Sequence, residues 1–109
     1  MATQKGMESA AAVLLPDLVR YAENAVVSRT LMDRPGGTVT LFAFDQGQKL
    51  SEHTTPFDAL VQVIDGEVRL VIGGREVIAG IGEMVLMPAD VPHALAAVTP
   101  FKMLLTMIR

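Results

Sequence analysis

From Ala25 onward the chain alternates short apolar runs with turn residues, and that rhythm predicts strands rather than helices. The predicted strands are Ala25 to Met32, Thr38 to Asp45, Lys49 to Thr55, Ala59 to Asp65, Glu67 to Ile72, Arg75 to Ala79, Glu83 to Met87, His93 to Val98 and Phe101 to Ile108. Between them stand residues that reverse a chain. Asp65-Gly66 and Gly73-Gly74 offer the positive φ that two-residue hairpins need, while Pro35-Gly36-Gly37 and Asp90-Val91-Pro92 suit broader loops. Many short strands at regular spacing predict an all-β sandwich or barrel over residues 25–109, with no internal repeat or low-complexity tract. Residues 1–24 form a separate N-terminal segment. Within it Ser9 to Glu23 predicts a short helix, since Pro16 suits a first helical position and Asp17 complements a helix N-terminus. Leu14, Leu18 and Tyr21 fall near helical spacing, so the helix would cover a barrel opening or pack on a partner subunit.

Strand periodicity sorts the side chains into faces. His53 and Thr55 share one face, as do Ala59, Val61 and Val63, and as do His93, Leu95 and Ala97. On the last strand Phe101, Met103, Leu105 and Met107 lie opposite Lys102 and Thr106. Tyr21, the only tyrosine, has the chemistry of a general acid, but partial burial in a packing role is the commoner fate of such a residue.

At 109 residues the chain is one small domain. Half of its residues are hydrophobic and 19% are charged, more apolar surface than a small monomer readily hides, which predicts a homodimer. A net charge of -3 with nine scattered Lys and Arg gives no footprint for nucleic acid or an anionic membrane. The absence of cysteine excludes disulfides, a thiolate nucleophile and a sulfur-rich zinc site. The most apolar early run, Ala10 to Leu15, is far below the roughly 20 residues that span a bilayer and is shorter than a secretory core, so the expectation is a cytoplasmic protein.

The chemistry converges on the two histidines. The segment Gly47 to Ala59 around His53, followed by Gly66, resembles the first signature motif of the cupin superfamily, and Gly82 to His93 resembles the second. Gly47, His53, Gly66, Gly82, Pro88 and His93 stand at the family's spacings, and Asp65-Gly66-Glu67 looks like the hairpin between its motif strands. The resemblance implies a single-domain jelly-roll cupin of the small conserved-barrel (cupin 2) type. It also implies that the two motif strands face each other and bring both imidazoles into a mostly apolar pocket formed with Thr55 and Ala59. In metal-binding cupins the positions of Thr55 and Ala59 carry a second histidine and a glutamate. Asp90 and Ala97 replace a frequent glycine and asparagine.

Two readings of function follow. In the first, His53 and His93 hold a divalent transition metal (iron, nickel, zinc or manganese) and the protein is an oxygenase, isomerase or lyase acting on a small molecule. Third ligands are scarce for it. Gln62 lies on the face opposite Ala59, Glu52 faces away from His53, and Asp58 lies in a turn. In the second, the pocket is metal-free and binds or senses a small ligand through His53, Thr55 and His93. A metal-free acid-base pair would need Asp58 or Asp90 as the partner carboxylate, and alternation places neither well. Seven methionines suggest soft copper(I), but Met84, Met87, Met103 and Met107 read more simply as core filling. No phosphate loop, nucleotide fingerprint or nucleophile dyad points elsewhere.

Overall fold

Period-two burial organises the structure as the sequence pattern requires. Ala59, Val61 and Val63 are almost fully buried, as are Phe101 and Met103, while the residues between them face outward or the rim. The computed structural model describes residues 2–109, with residues 2–5 described by backbone course alone. Its strands are β1 (Ala2–Lys5), β2 (Val26–Arg34), β3 (Gly37–Phe44), β4 (Lys49–His53), β5 (Asp58–Asp65), β6 (Glu67–Ile72), β7 (Arg75–Gly80), β8 (Met84–Met87), β9 (His93–Ala97) and β10 (Phe101–Ile108). β1, β2, β3, β10, β5 and β8 make a large sheet in that order, and β4, β9, β6 and β7 make a small one. Side chains from both inner faces form the core, where Phe44 and Phe101 stack with ring centroids 4.8 Å apart. Each predicted strand is present to within a few residues at its ends. β1 adds a strand no pattern announced, since Ala-Thr-Gln-Lys carries no apolar alternation; it pairs in parallel with β2.

Two turns differ from expectation. Asp65-Gly66 closes no hairpin, because β5 keeps β10 and β8 as neighbours while β6 pairs with β7 and β9. The dipeptide encodes a change of direction, and long-range pairing decides that the change carries the chain from one sheet to the other. Pro35-Gly36 closes a tighter turn than expected, with Arg34 directly opposite Gly37. Gly73-Gly74 does form the two-residue hairpin, with φ of 57° and 81° between paired Ile72 and Arg75.

No helix forms over Ser9 to Glu23. A single 3-10 turn, Leu15–Leu18, is followed at once by extended backbone at Val19. Pro16 explains this, because in the middle of the expected span it removes an amide donor and clashes with the preceding turn, and Leu14 supplies no side-chain cap. The segment is a strap over the outer face of the large sheet rather than a cover for a barrel opening. Val19 is buried there against Leu41 and Ala43, with Leu15 and Leu18 beside it. Lys102 fastens it from the sheet, donating to the Pro16 carbonyl at 2.7 Å and lying 4.9 Å over the Tyr21 ring. The Tyr21 hydroxyl donates to the Asp65 carboxylate. Burial first, then that hydrogen bond and the negative charge of Asp65, push the phenol above its ordinary range.

The sign of the pH effect follows. A phenol that holds its proton more tightly when folded stabilises the fold fully below the unfolded value of about 10, and that contribution disappears as pH rises beyond it. Thermal unfolding between about pH 9 and 11 is therefore expected to fall more steeply for the wild type than for Tyr21→Phe. Parallel curves for the two proteins would show that the Tyr21–Asp65 contact does not hold the strap.

Candidate metal and ligand site

A bulge turns His53 inward. Lys49 and Leu50 pair with Ala96 and Leu95, but His53 pairs with His93, so β4 carries one residue more than β9 over this stretch. Strict alternation from Leu50 would aim Glu52 at the interior and His53 at solvent. The extra residue lets Leu50 and His53 face the cavity together, while Glu52 stays exposed. His93 needs no such device, since it begins β9 in phase with buried Leu95 and Ala97.

The cavity has a volume of about 210 Å³ and lies between the sheets. His53, Thr55, Ala59 and His93 all line it, which brings the four sequence-derived pocket residues together. The large sheet adds Met87, Met103, Leu105 and Met107, with Phe42 beside them, and the small sheet adds Leu50 and Leu95. No Asp, Glu, Lys or Arg is among the lining residues. The loops at the rim are tied together: the Asp90 amide donates to the Thr55 carbonyl, and the Ala89 amide donates to the Asp58 carboxylate, both at 2.8 Å. Asp58 thus serves the rim, and neither it nor Asp90 lines the cavity as an acid-base partner. Gln62 likewise stays out of the lining, as alternation requires. Leu50 and the bulge behind it were not visible in the pattern; the apolar-then-polar run Leu50-Ser51-Glu52-His53 was the one available signal.

Hydrogen bonding fixes which ring nitrogens are free. His53 Nδ1 lies 2.8 Å from the Ser51 carbonyl oxygen, and His93 Nδ1 lies 3.1 Å from that of Val91. A carbonyl oxygen only accepts, so the proton on each Nδ1 is assigned to that contact, which leaves Nε2 of each ring turned to the cavity. The two Nε2 atoms lie within hydrogen-bond distance at 3.1 Å, with the rings edge to face, their planes 66° and their centroids 4.3 Å apart. His93 is 5% exposed, whereas His53 is exposed at the mouth.

The donor set fits a transition metal as a two-nitrogen chelate. Two nitrogens each about 2.0–2.1 Å from one zinc lie about 3.3 Å apart at a tetrahedral angle, close to the separation observed. Carbonyl acceptors on the far nitrogens also match the usual support of ligating imidazoles. Beyond the pair, hard donors stop. Thr55 Oγ1 donates to the Phe57 carbonyl at 3.1 Å, Ala59 has no donor, and the described residues hold no group of three or more His, Cys, Asp or Glu suited to a metal.

The sequence matches the cupin domain family over residues 40–108. A conserved protein of unknown function from Streptococcus pyogenes superposes with a TM-score of 0.92 at 33% identity, covering 100% of this chain and 96% of that one. A cupin superfamily protein from Desulfitobacterium hafniense gives 0.90 at 26% identity, with 96% of each chain covered. A cupin 2 conserved barrel domain protein from Leptotrichia buccalis gives 0.83 at 37% identity over 86% of this chain and 46% of that one. Comparison with curated proteins finds no match. Among the described residues no helix is long and apolar enough to cross a membrane. With two antiparallel sheets, both motif histidines on one cavity and a family match over most of its length, the chain belongs to the cupin family.

Proposed function

We propose that this protein binds a small organic molecule in its barrel at a transition metal held by His53 and His93, with water or the bound molecule supplying the remaining ligands. The observation that carries this reading is the close Nε2 pair, 3.1 Å apart, with both Nδ1 atoms turned to backbone carbonyls. The two Nε2 atoms converge on one spot that a metal ion or a shared proton can occupy, and imidazole suits zinc, iron, nickel and copper. When bound, the metal would act as a Lewis acid on an oxygen atom of the ligand, the chemistry that metal-dependent isomerases and lyases use. The protein's own part is to orient both imidazoles, exclude bulk water with an apolar lining, and admit only a compact molecule. At about 210 Å³ the cavity is smaller than those that hold drug-sized ligands, which start at about 300 Å³.

Thr55 and Ala59 favour a second reading, a metal-free binding module, because they leave only two strong donors. The two readings demand opposite headgroups. A metal attracts lone-pair donors such as carboxylate or carbonyl oxygen, whereas the bare pocket presents lone pairs itself and calls for an O–H or N–H donor. Either form is proposed as a homodimer, since Ile81, Met84 and Leu86 leave an apolar surface exposed around β8.

Elemental analysis of protein purified without an affinity tag or added metal tests the proposal. The wild type is expected to carry stoichiometric metal, and His53→Ala and His93→Ala are expected to lose it. A wild type that carries none, and gains no thermal stability from iron, nickel, zinc, manganese or copper, would leave the metal-free module standing alone.

A further inference from the structure

We infer that the metal this pocket selects is copper(I), held by the two imidazoles together with the thioethers of Met87 and Met107; the inference rests on the metal reading above. Ala59 pairs across β8 with Met87 and across β10 with Met107, so Met87, Ala59 and Met107 form one row of the large sheet. All three line the same cavity as His53 and His93. The two methionines are therefore one strand to either side of Ala59, about 4.8 Å away at the backbone, and the alanine methyl leaves space between them. A thioether on an unbranched, flexible side chain can reach into that space.

Charge and softness then choose the ion. The lining holds no carboxylate, so a divalent ion would keep its full double charge in an apolar enclosure, and charge burial without a counter-charge is strongly unfavourable. Copper(I) brings a single charge. Imidazole nitrogen and thioether sulfur are also the donors it prefers, whereas manganese favours oxygen donors such as carboxylate and water that this lining does not supply. Methionine side chains that fill the core between strands thus serve a second purpose where they border Ala59.

Copper(I) titration under anaerobic conditions, against a chromophoric copper(I) chelator, with zinc(II) titrated in parallel, tests this. The expected result is tighter retention of copper(I) than of zinc(II), with both nitrogen and sulfur scatterers in the copper X-ray absorption spectrum. Met87→Leu/Met107→Leu, close in volume to the native pair, is expected to lose the sulfur scatterers and weaken copper(I) binding by at least about tenfold, with zinc(II) affinity unchanged. Met107→Leu alone, at the half-buried position, gives the same readout should the double variant fold poorly. Nitrogen-only scattering, or copper(I) affinity untouched by the methionine variants, overturns the inference. Zinc(II) held at least as tightly as copper(I) also overturns it while leaving the two-histidine metal reading intact, and failure of every metal to bind removes both.

Discussion

Gly66→Ala is expected to destabilise the protein by about 3 kcal/mol or more, a large share of the roughly 5–15 kcal/mol that holds a small domain together. Two costs coincide at this residue. Its φ of +71° is a left-handed conformation that a side chain disfavours by about 1–2 kcal/mol. A Cβ there would also lie 1.9 Å from the Pro100 carbonyl oxygen and 2.8 Å from Phe101, backbone that cannot move without disturbing the buried Phe44–Phe101 stack. Gly74→Ala separates the two, since Gly74 has a φ of +81° but nothing within 4 Å of the added carbon. Urea unfolding should show Gly74→Ala losing about 1 kcal/mol and Gly66→Ala several times more. Equal losses would mean that the corner between the sheets is looser than its packing indicates.

The second large effect reverses sign with metal. Ala59→Glu places a carboxylate at a site 3% exposed, in a lining without a cation, so the metal-free variant is expected to lose several kcal/mol or to keep the acid protonated. With zinc or iron present the same carboxylate completes a two-histidine, one-carboxylate set, and affinity is expected to rise at least about 100-fold over the wild type. Because binding to the folded state alone stabilises it by mass action, metal should then raise the melting temperature far more in the variant. Ala59→Gln, with the same bulk and no charge, controls for crowding. An Ala59→Glu protein that binds zinc no better than the wild type would show that the row containing Ala59 does not converge on the histidine pair.

Strand positions could be read from the chain because they are local: alternation along Ala59 to Val63 or Phe101 to Met107 encodes which face is buried, whatever lies opposite. What could not be read was set by partners distant in sequence. Asp65-Gly66 looks like a hairpin, and only the pairing of β5 with β10 makes it a corner. His53 faces inward because β4 is bulged against β9, a property of the pair rather than of either strand. The strap over Leu41 and Ala43 reads as a helix because Pro16 and Asp17 suit a helix N-terminus, yet in the fold they start only a single 3-10 turn before the backbone extends at Val19. The four residues that line one cavity stand out in the sequence because motif spacing carries long-range information that periodicity lacks. The methionines beside Ala59 did not, since their proximity depends on two strand registers at once.

The division of the cavity lining between two sheets reaches beyond recognition. His53 and His93 belong to the small sheet, and Ala59, Met87 and Met107 to the large one, with no backbone ladder running between them. Across the cavity the two walls meet through dispersion and burial rather than a hydrogen-bonded ladder, contacts that permit the layers to breathe apart. Whatever binds both walls is a rivet through those layers. It ties the layers at the mouth, while Phe44 and Phe101 stack at the other end of the same strands, so occupancy stiffens one end of the barrel and leaves the other as it was.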